Sequence, residues 1–501
     1  MRKIILTAFF FLNLLVSFAQ VYPKREFRGS WIQCVNGQFQ GLGRDAMQQN
    51  LTRQLDALQA CGINVVIFQV RAEGDALYQS SLEPWSRFLT GQQGTPPSPY
   101  WDPLAWIIEE AHNRGMELHA WINPYRAKTA STTEMAVTHQ YIQHPERFFS
   151  YGDLIIFHPS MQENRDYICS VVADIVSRYD IDGLHIDDYF YPYPEAGLSI
   201  PDESYFLSDQ RGFSNINDWR RDNVDLLIEQ MQATIRSIKP WVKFGVSPFG
   251  IYHNSSSTDD VPGSATRGLQ NYDDLYADVL NWINNGWIDY CVPQLYWELG
   301  HPTADYEVLI NWWAENAGAR PLVIGQDVER SVKYADPLNS LSNQEPTKLN
   351  LQRSLPTTSG SCFWYSAALA DNVGNYASIL SEYYYRYPAL QPLMTFIDDT
   401  KPSKPRGVKD IWTDEGHILV WLAPKWKTWQ DQPHSYVVYR FKKGEKRDLE
   451  DPGHIVKITN LNYLPLQTLD DGNTYYYVVT CLNRLAVESK GKKKKVKSSS
   501  R

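Results

Sequence analysis

The chain has 501 residues, 43% of them hydrophobic and 21% charged, which fits a globular protein of two to four domains and excludes a disordered or fibrous one. A net charge of −9 argues against a nucleic-acid binder, whose surface carries a basic face. The 17 Trp and 31 Tyr suit either a large aromatic core or the stacking of sugar rings.

The first residues read as an export signal. A basic start, Met1-Arg2-Lys3, precedes the apolar run IILTAFFFLNLLVSF, and Ser17 and Ala19 put small residues at the cleavage positions. The run is too short and wrongly flanked for a membrane anchor. The first cysteine, Cys34, lies too far on for a lipoprotein. Residues 1–19 are therefore expected to be a signal peptide, leaving an exported chain, periplasmic or extracellular, without a transmembrane segment. The six cysteines, at 34, 61, 169, 291, 362 and 481, form no CxxC or Cys/His cluster, which predicts buried thiols and no zinc site.

From residue 28 to 367, eight short apolar runs alternate with helix-like stretches: RGSWIQC (28–34), INVVIFQVR (63–71), ELHAWIN (117–123), IDGLHID (181–187), VKFGVSPF (242–249), IDYCVPQLYW (288–297), PLVIGQD (321–327) and SCFWYSA (361–367). One intervening stretch, DPLAWIIEEAHNRG, opens on Asp102 with Pro103 just inside it and stops at Gly115, the signals of a helix start and end. Repeated strand-helix units predict an α/β fold, a (β/α)8 TIM barrel over residues 24–390.

Side-chain alternation divides each strand into two faces. Val66, Phe68 and Val70 oppose Gln69 and Arg71; Leu118, Ala120 and Ile122 oppose His119, Trp121 and Asn123; Leu184 and Ile186 oppose His185 and Asp187; Pro293 and Leu295 oppose Gln294 and Tyr296. The first set suits packing against helices. The second becomes polar toward the C-terminal strand ends, where barrels of this kind carry their active sites. Arg71, His119, Asn123, His185, Asp187, Gln294 and Tyr296 are therefore expected to converge on one mouth.

A Pro/Lys-rich linker, residues 391–404, changes the texture. HILVWLAP, SYVVYRF and TYYYVVTCL then alternate without helical spacing, which predicts a C-terminal fibronectin type III-like β-sandwich over 405–488. The basic stretch KGKKKKVKSSSR lacks apolar periodicity, and residues 489–501 are expected to be a disordered tail.

FRGSWIQ, FQVRAEGDALYQSSLEPWS, GMELHAWINPYR, DIDGLHIDDYFYP, GVSPFGIYHN and DYCVPQLYWE together resemble the glycosyl hydrolase-family-10-like group of exported bacterial proteins. The matches run from residue 27 to about 370. The resemblance implies a glycoside hydrolase on a TIM barrel. The group includes a divisome-localised glycosidase of the enterobacterial envelope that cleaves peptidoglycan glycan strands stripped of stem peptides. Family 10 xylanases themselves carry an Asn-Glu pair after strand four and a Glu on strand seven. Here those positions are Asp187-Asp188 and Gln326-Asp327, so the xylanase mechanism does not transfer.

Glycosidases generally use two carboxyl groups, and three schemes fit this chain. In the first, the substrate's own 2-acetamido oxygen is the nucleophile, Asp187 polarises that group and Asp188 is the general acid/base. In the second, Asp187 is a direct nucleophile and Glu298 the acid. In the third, Asp187 or Asp188 and Glu298 flank a water. Asp182, in the same run, is expected to order the turn into strand four. Arg71 would hold a substrate carboxylate or pair with Asp187. His119, Asn123, His185, Gln294, Tyr296 and Asp327 would bind hydroxyls or order the site, and Tyr189, Tyr191, Trp297 and Trp85 would stack on sugar rings. The expected partner is a glycan, with cell-wall peptidoglycan foremost. The alternatives are a dietary or host polysaccharide substrate, and a non-catalytic glycan-binding envelope protein. No motif calls for a metal or organic cofactor.

Overall fold

The computed structural model describes residues 22–498 except 257–259, 319, 467, 468 and 470. The expected signal peptide lies outside these residues. Eight parallel strands close a barrel: β1 (Phe27–Ile32), β2 (Val65–Arg71), β3 (Glu117–Ile122), β4 (Gly183–Ile186), β5 (Lys243–Val246), β6 (Tyr290–Cys291), β7 (Leu322–Asp327) and β8 (Thr358–Trp364). Each pairs with its neighbours in sequence, and β1 meets β8. Every one of the apolar runs contributes a strand. The principal helices between them are α1 (Arg44–Ala60), α2 (Pro103–Asn113), α3 (Gln162–Arg178), α4 (Ile216–Ile238), α5 (Val279–Asn285), α6 (Tyr306–Asn316) and α7 (Glu345–Ser354). At the start of α2 the Asp102 carboxylate accepts the Ala105 N–H at 3.0 Å, and beyond its end Gly115 takes φ +75°.

The two faces of the strands fill two separate cores. Val66, Phe68, Val70, Leu118, Ala120 and Ile122 point outward and pack with the helices. Phe27, Trp31, Val65, Ile67, Trp121, Tyr290, Val323 and Cys362 fill the barrel interior. Glycines make room for its rings. A Cβ on Gly245 would lie 1.9 Å from the Tyr290 ring, and one on Gly183 2.7 Å from His119. Two insertions decorate the C-terminal side: a three-stranded antiparallel sheet (Arg126–Lys128, Phe148–Tyr151, Leu154–Phe157) after β3, and a small hairpin (Ala335–Asp336 with Asn339–Asn343) after β7.

The C-terminal module is a β-sandwich. One sheet holds β9 (Arg406–Thr413), β10 (Gly416–Leu422) and β13 (Tyr463–Pro465). The other holds β11 (Ser435–Lys442), β12 (Ile455–Thr459), β14 (Thr474–Leu482) and β15 (Lys492–Lys497), in the order β12-β11-β14-β15. Both faces of β11 and β14 are covered, which explains their nearly continuous apolar sequences. Tyr436, Val438, Tyr477 and Val479 face the first sheet. Val437, Tyr439, Val478 and Leu482 pack with Leu390 at the barrel's end. Leu485, Val487 and Met394 join the barrel-interior cluster itself and close its N-terminal floor.

β15 corrects one expectation. The basic stretch is not a disordered tail over Lys492–Lys497: it pairs antiparallel with β14 and buries Val496, which is 2% exposed. Backbone pairing needs no apolar periodicity. Lysines are also favoured on an edge strand, because they block pairing with a further chain. Residues 499–501 lie outside the described set.

Candidate active site

The C-terminal end of β4 delivers the carboxyl pair. Asp187 continues the inward row of Gly183 and His185, and Asp188 follows in the loop. Gln294, just beyond β6, donates its amide to Asp187 Oδ1 at 2.8 Å and to the Ser247 carbonyl at 3.0 Å. The Asp188 N–H donates to Asp187 Oδ1 at 2.9 Å, and the Tyr193 hydroxyl donates to Asp188 Oδ2. Asp187 is 8% exposed and Asp188 2%. Arg126, from the inserted sheet, stacks its guanidinium 3.6 Å from the Tyr189 ring centroid and faces both aspartates.

Burial and the neighbouring Asp188 charge push the Asp187 carboxyl well above the usual carboxylate range. Asp188 is also raised by burial, but the Tyr193 hydroxyl, the hydrogen bond from Asp187 and the Arg126 charge draw it back. The pair thus holds a proton that ordinary carboxyls would release, and that proton rests on Asp187, the more open of the two. The Tyr296 hydroxyl, pushed well above its usual range by burial and next by the Asp187 charge, belongs to the same cluster.

Aromatic rings line the space beneath the pair. Trp364, at the end of β8, lies 6.3 Å from Trp31, 6.3 Å from Trp121 and 6.5 Å from Tyr296 by ring centroids. Trp297 packs edge-on to Phe249 at 5.4 Å. Asn123 accepts the Trp121 indole N–H at 3.0 Å and so orients that ring. The sequence pattern missed Trp31, Trp364, Arg126 and Tyr193. The first two sit on inward strand positions that the alternation rule covers, whereas Arg126 and Tyr193 sit beyond strand ends, where it gives no direction.

Two expected site residues are elsewhere. Arg71 is fully buried, forks onto Glu83 at 2.6–2.9 Å and donates to the Asn123 and Pro124 carbonyls. A bulge between Gln69 and Arg71 brings Arg71 level with Ile122, on the outward face, and so removes it from the mouth. His119 is deep in the barrel: its Nδ1 meets the Tyr290 hydroxyl at 2.7 Å and its Nε2 meets Glu117 at 3.2 Å, and Glu117 pairs with Lys243 at 2.5 Å. Inward parity is right for His119, but it lies too near the start of β3 to reach substrate.

His185 stands between these layers. Its Nδ1 meets Tyr290 at 3.0 Å, and its Nε2 lies 2.9 Å from the Ser247 hydroxyl and 3.4 Å from the Trp31 indole nitrogen. Burial, then His119, lowers its pKa well below the usual value, so it is a neutral support under Asp187 rather than an acid. Tyr191 is also buried, held by Asn223 at 3.0 Å, and is no stacking platform.

The remaining carboxyls lie along the other side of the rim. Asp327 caps the following helix by accepting the Arg330 N–H at 2.9 Å. Asp327, Glu298 and Asp305 are the acidic neighbours of Lys348, whose burial lowers its pKa to about 8. Asp182 lies at the barrel's opposite end. It accepts the Leu118 N–H at 2.9 Å and His112 Nε2 at 2.7 Å, and it faces His434 and Arg484 of the sandwich. The His112, Asp182 and His434 ligand atoms all lie within 4.8 Å of one another. However, the Arg484 guanidinium, 3.9 Å from Asp182, already supplies positive charge where a cation would sit. We read this group as a clamp between the modules. All six cysteines are free and buried.

A carboxyl pair at the C-terminal rim of an aromatic-lined barrel suits cleavage of a glycan. The chain matches the glycosyl hydrolase-like 10 family model over residues 26–359. It belongs to that family. The glycosyl hydrolase-like 10 match takes in seven complete barrel strands and the start of β8. Glycosyl hydrolase YngK of Bacillus subtilis (strain 168) is 38% identical over 96% of this chain and 95% of its own. Glycosyl hydrolase DigH of Escherichia coli (strain K12) is 42% identical over 54% of this chain and 62% of its own. Among solved structures, the PgaB glycoside hydrolase domain from Bordetella bronchiseptica is 10% identical, covers 72% of this chain and 99% of its own, and has a TM-score of 0.47. The protein is an enzyme, a glycoside hydrolase. Among the described residues, no helix is long and apolar enough to cross a membrane.

Proposed function

We propose that this exported enzyme hydrolyses N-acetylhexosamine-containing glycan, specifically peptidoglycan strands that lack stem peptides, with the substrate's acetamido oxygen as nucleophile. The observation that carries this reading is the contact between Asp187 and Asp188. Carboxyls that flank a scissile bond stand about 5–5.5 Å apart in retaining enzymes and further apart in inverting ones. Two carboxyls on consecutive residues that hydrogen-bond to one another stand too close together to flank it. Of the other acids at the rim, Asp327 is engaged as a helix cap.

The roles follow from burial. Asp187 holds the proton and gives it to the leaving oxygen as the glycosidic bond breaks. The acetamido oxygen bonds to the anomeric carbon, forming an oxazolinium ion. Asp188, an anion between Tyr193 and Arg126, balances the charge that develops on the acetamido group. The Asp187 carboxylate then takes a proton from the water that opens the ring. This reverses the division of labour expected from sequence, because Asp188 is the more enclosed of the two. The peptidoglycan substrate is supported by the resemblance to an envelope family.

The test is incubation with amidase-stripped sacculi and with chitooligosaccharides. Soluble fragments from the wild type but not from Asp187→Asn are expected, together with inhibition by a thiazoline mimic of the oxazoline. Fragment release that the thiazoline leaves untouched would exclude the acetamido route. Binding without new reducing ends would exclude catalysis on these glycans.

A further inference from the structure

A second feature lies far from the mouth. Lys401, Lys404 and Arg406 of the linker and β9, Lys425 after β10, and Lys490 and Lys492 at the start of β15 line one open groove, with Pro402, Pro405 and Pro424 as its walls. These cations are exposed, and no acidic side chain lines the groove among the described residues. Arg406 is tethered through its Nε to the Ala423 carbonyl at 3.0 Å. Two positions further along β15, Lys494 lies outside the groove lining and is neutralised by Asp410 at 3.0 Å. Trp426, half exposed, directly follows Lys425. In a chain of net charge −9, this concentration of positive charge is built from segments far apart in sequence.

Edge protection explains Lys493, Lys495 and Lys497 on β15. It does not explain Lys401, Lys404, Arg406 and Lys425, which are on other segments. A concave row of cations suits a chain of anions better than a flat bilayer. The exposed indole that follows Lys425 in sequence suits a chain that presents apolar pyranose faces.

We propose that this groove is an accessory binding site for a carboxylate-bearing glycan strand. The choice of glycan rests on the substrate proposed above, because removal of the stem peptide leaves a free lactyl carboxylate on each muramic acid. Leu485 and Val487 dock the sandwich on the barrel's N-terminal floor, so the groove is remote from Asp187. It tethers the enzyme to the polymer and takes no part in bond cleavage.

The experiment uses the mature full chain carrying Asp187→Asn, so that the polymer stays intact. Cosedimentation with amidase-stripped sacculi is compared with and without K404E, R406E and K492E. The triple charge reversal is expected to weaken binding by about tenfold or more at low salt, and raised salt to weaken the parent in the same way. Methyl esterification of the sacculi is expected to abolish the difference. Equal binding of the two proteins overturns the proposal. So does loss of binding once phosphate polymers are stripped from the sacculi with hydrofluoric acid, or equal retention on anionic lipid vesicles. In the catalytically intact background, the triple variant is expected to hydrolyse short soluble oligosaccharides at the wild-type rate. Binding is read without turnover, so failure of the catalytic proposal and failure of the groove give different results.

Discussion

At the scale of single residues, the proposed chemistry rests on two adjacent carboxyls with unequal surroundings. Asp187→Asn is expected to lower glycan hydrolysis by about 100-fold or more, the range associated with loss of a general acid/base. Glu298→Gln is expected to cost less than about tenfold on the same scale, because the proposed route gives both proton transfer and charge balance to the aspartate pair. Activity should fall as pH rises through the raised pKa of the pair, and a pH–rate profile of the wild type checks this. The stability effect has the same origin. The folded state keeps a proton on Asp187 that the unfolded chain releases near pH 4, so stability falls as pH rises through that window. Asp187→Asn should therefore melt above the wild type at neutral pH, and the gap should close near pH 4. Asp187, Gln294 and Tyr296 were legible because strand alternation gives direction. Arg71 was misread because a bulge shifts the phase by one position, and no local sequence feature announces it.

At the scale of elements, every barrel strand was legible, because parallel strands covered on both sides read as apolar runs. What escaped was the irregular material between them. The sheet that carries Arg126 is built from strands as short as three residues, too short for alternation to register. The lysine strand β15 was missed for a different reason: edge pairing is a backbone property, and the charges on it say nothing about hydrogen bonding. Gly183 and Gly245 have negative φ and look ordinary in sequence, yet each faces a ring from its register partner on the neighbouring strand. Gly245→Ala should overpack Tyr290 and destabilise the fold by about 1–3 kcal/mol in urea titration. The His119–Tyr290–His185 chain would shift with it, so activity should fall even where the protein stays folded.

At the scale of the whole molecule, barrel and sandwich are joined by buried charge as well as apolar contact. His112 is pulled down by burial, but the Asp182 carboxylate outweighs this and raises it overall; Asp182 is lowered by His112, His434 and Arg484 against its own burial. The Asp182 contribution is present above the unfolded carboxyl pKa and is lost as pH falls through the folded one. The His112 contribution is present below the unfolded imidazole pKa and is lost as pH rises through the folded one. Both contributions are present between about pH 4 and about pH 6.5, while His434, lowered to about 4 by burial, stays neutral in the fold and opposes them as pH falls below its ordinary value. Asp182→Asn should cost about 3 kcal/mol, measured by chemical denaturation in that window.

Leu485 and Val487 fill the floor of a barrel whose last strand ends at Trp364. The interior is therefore completed by residues that stand more than a hundred positions beyond the last barrel strand. A fragment that stops after the eighth strand has every strand of the barrel but no seal for its base, so the barrel reaches its full resistance to unfolding only with the C-terminal module in place.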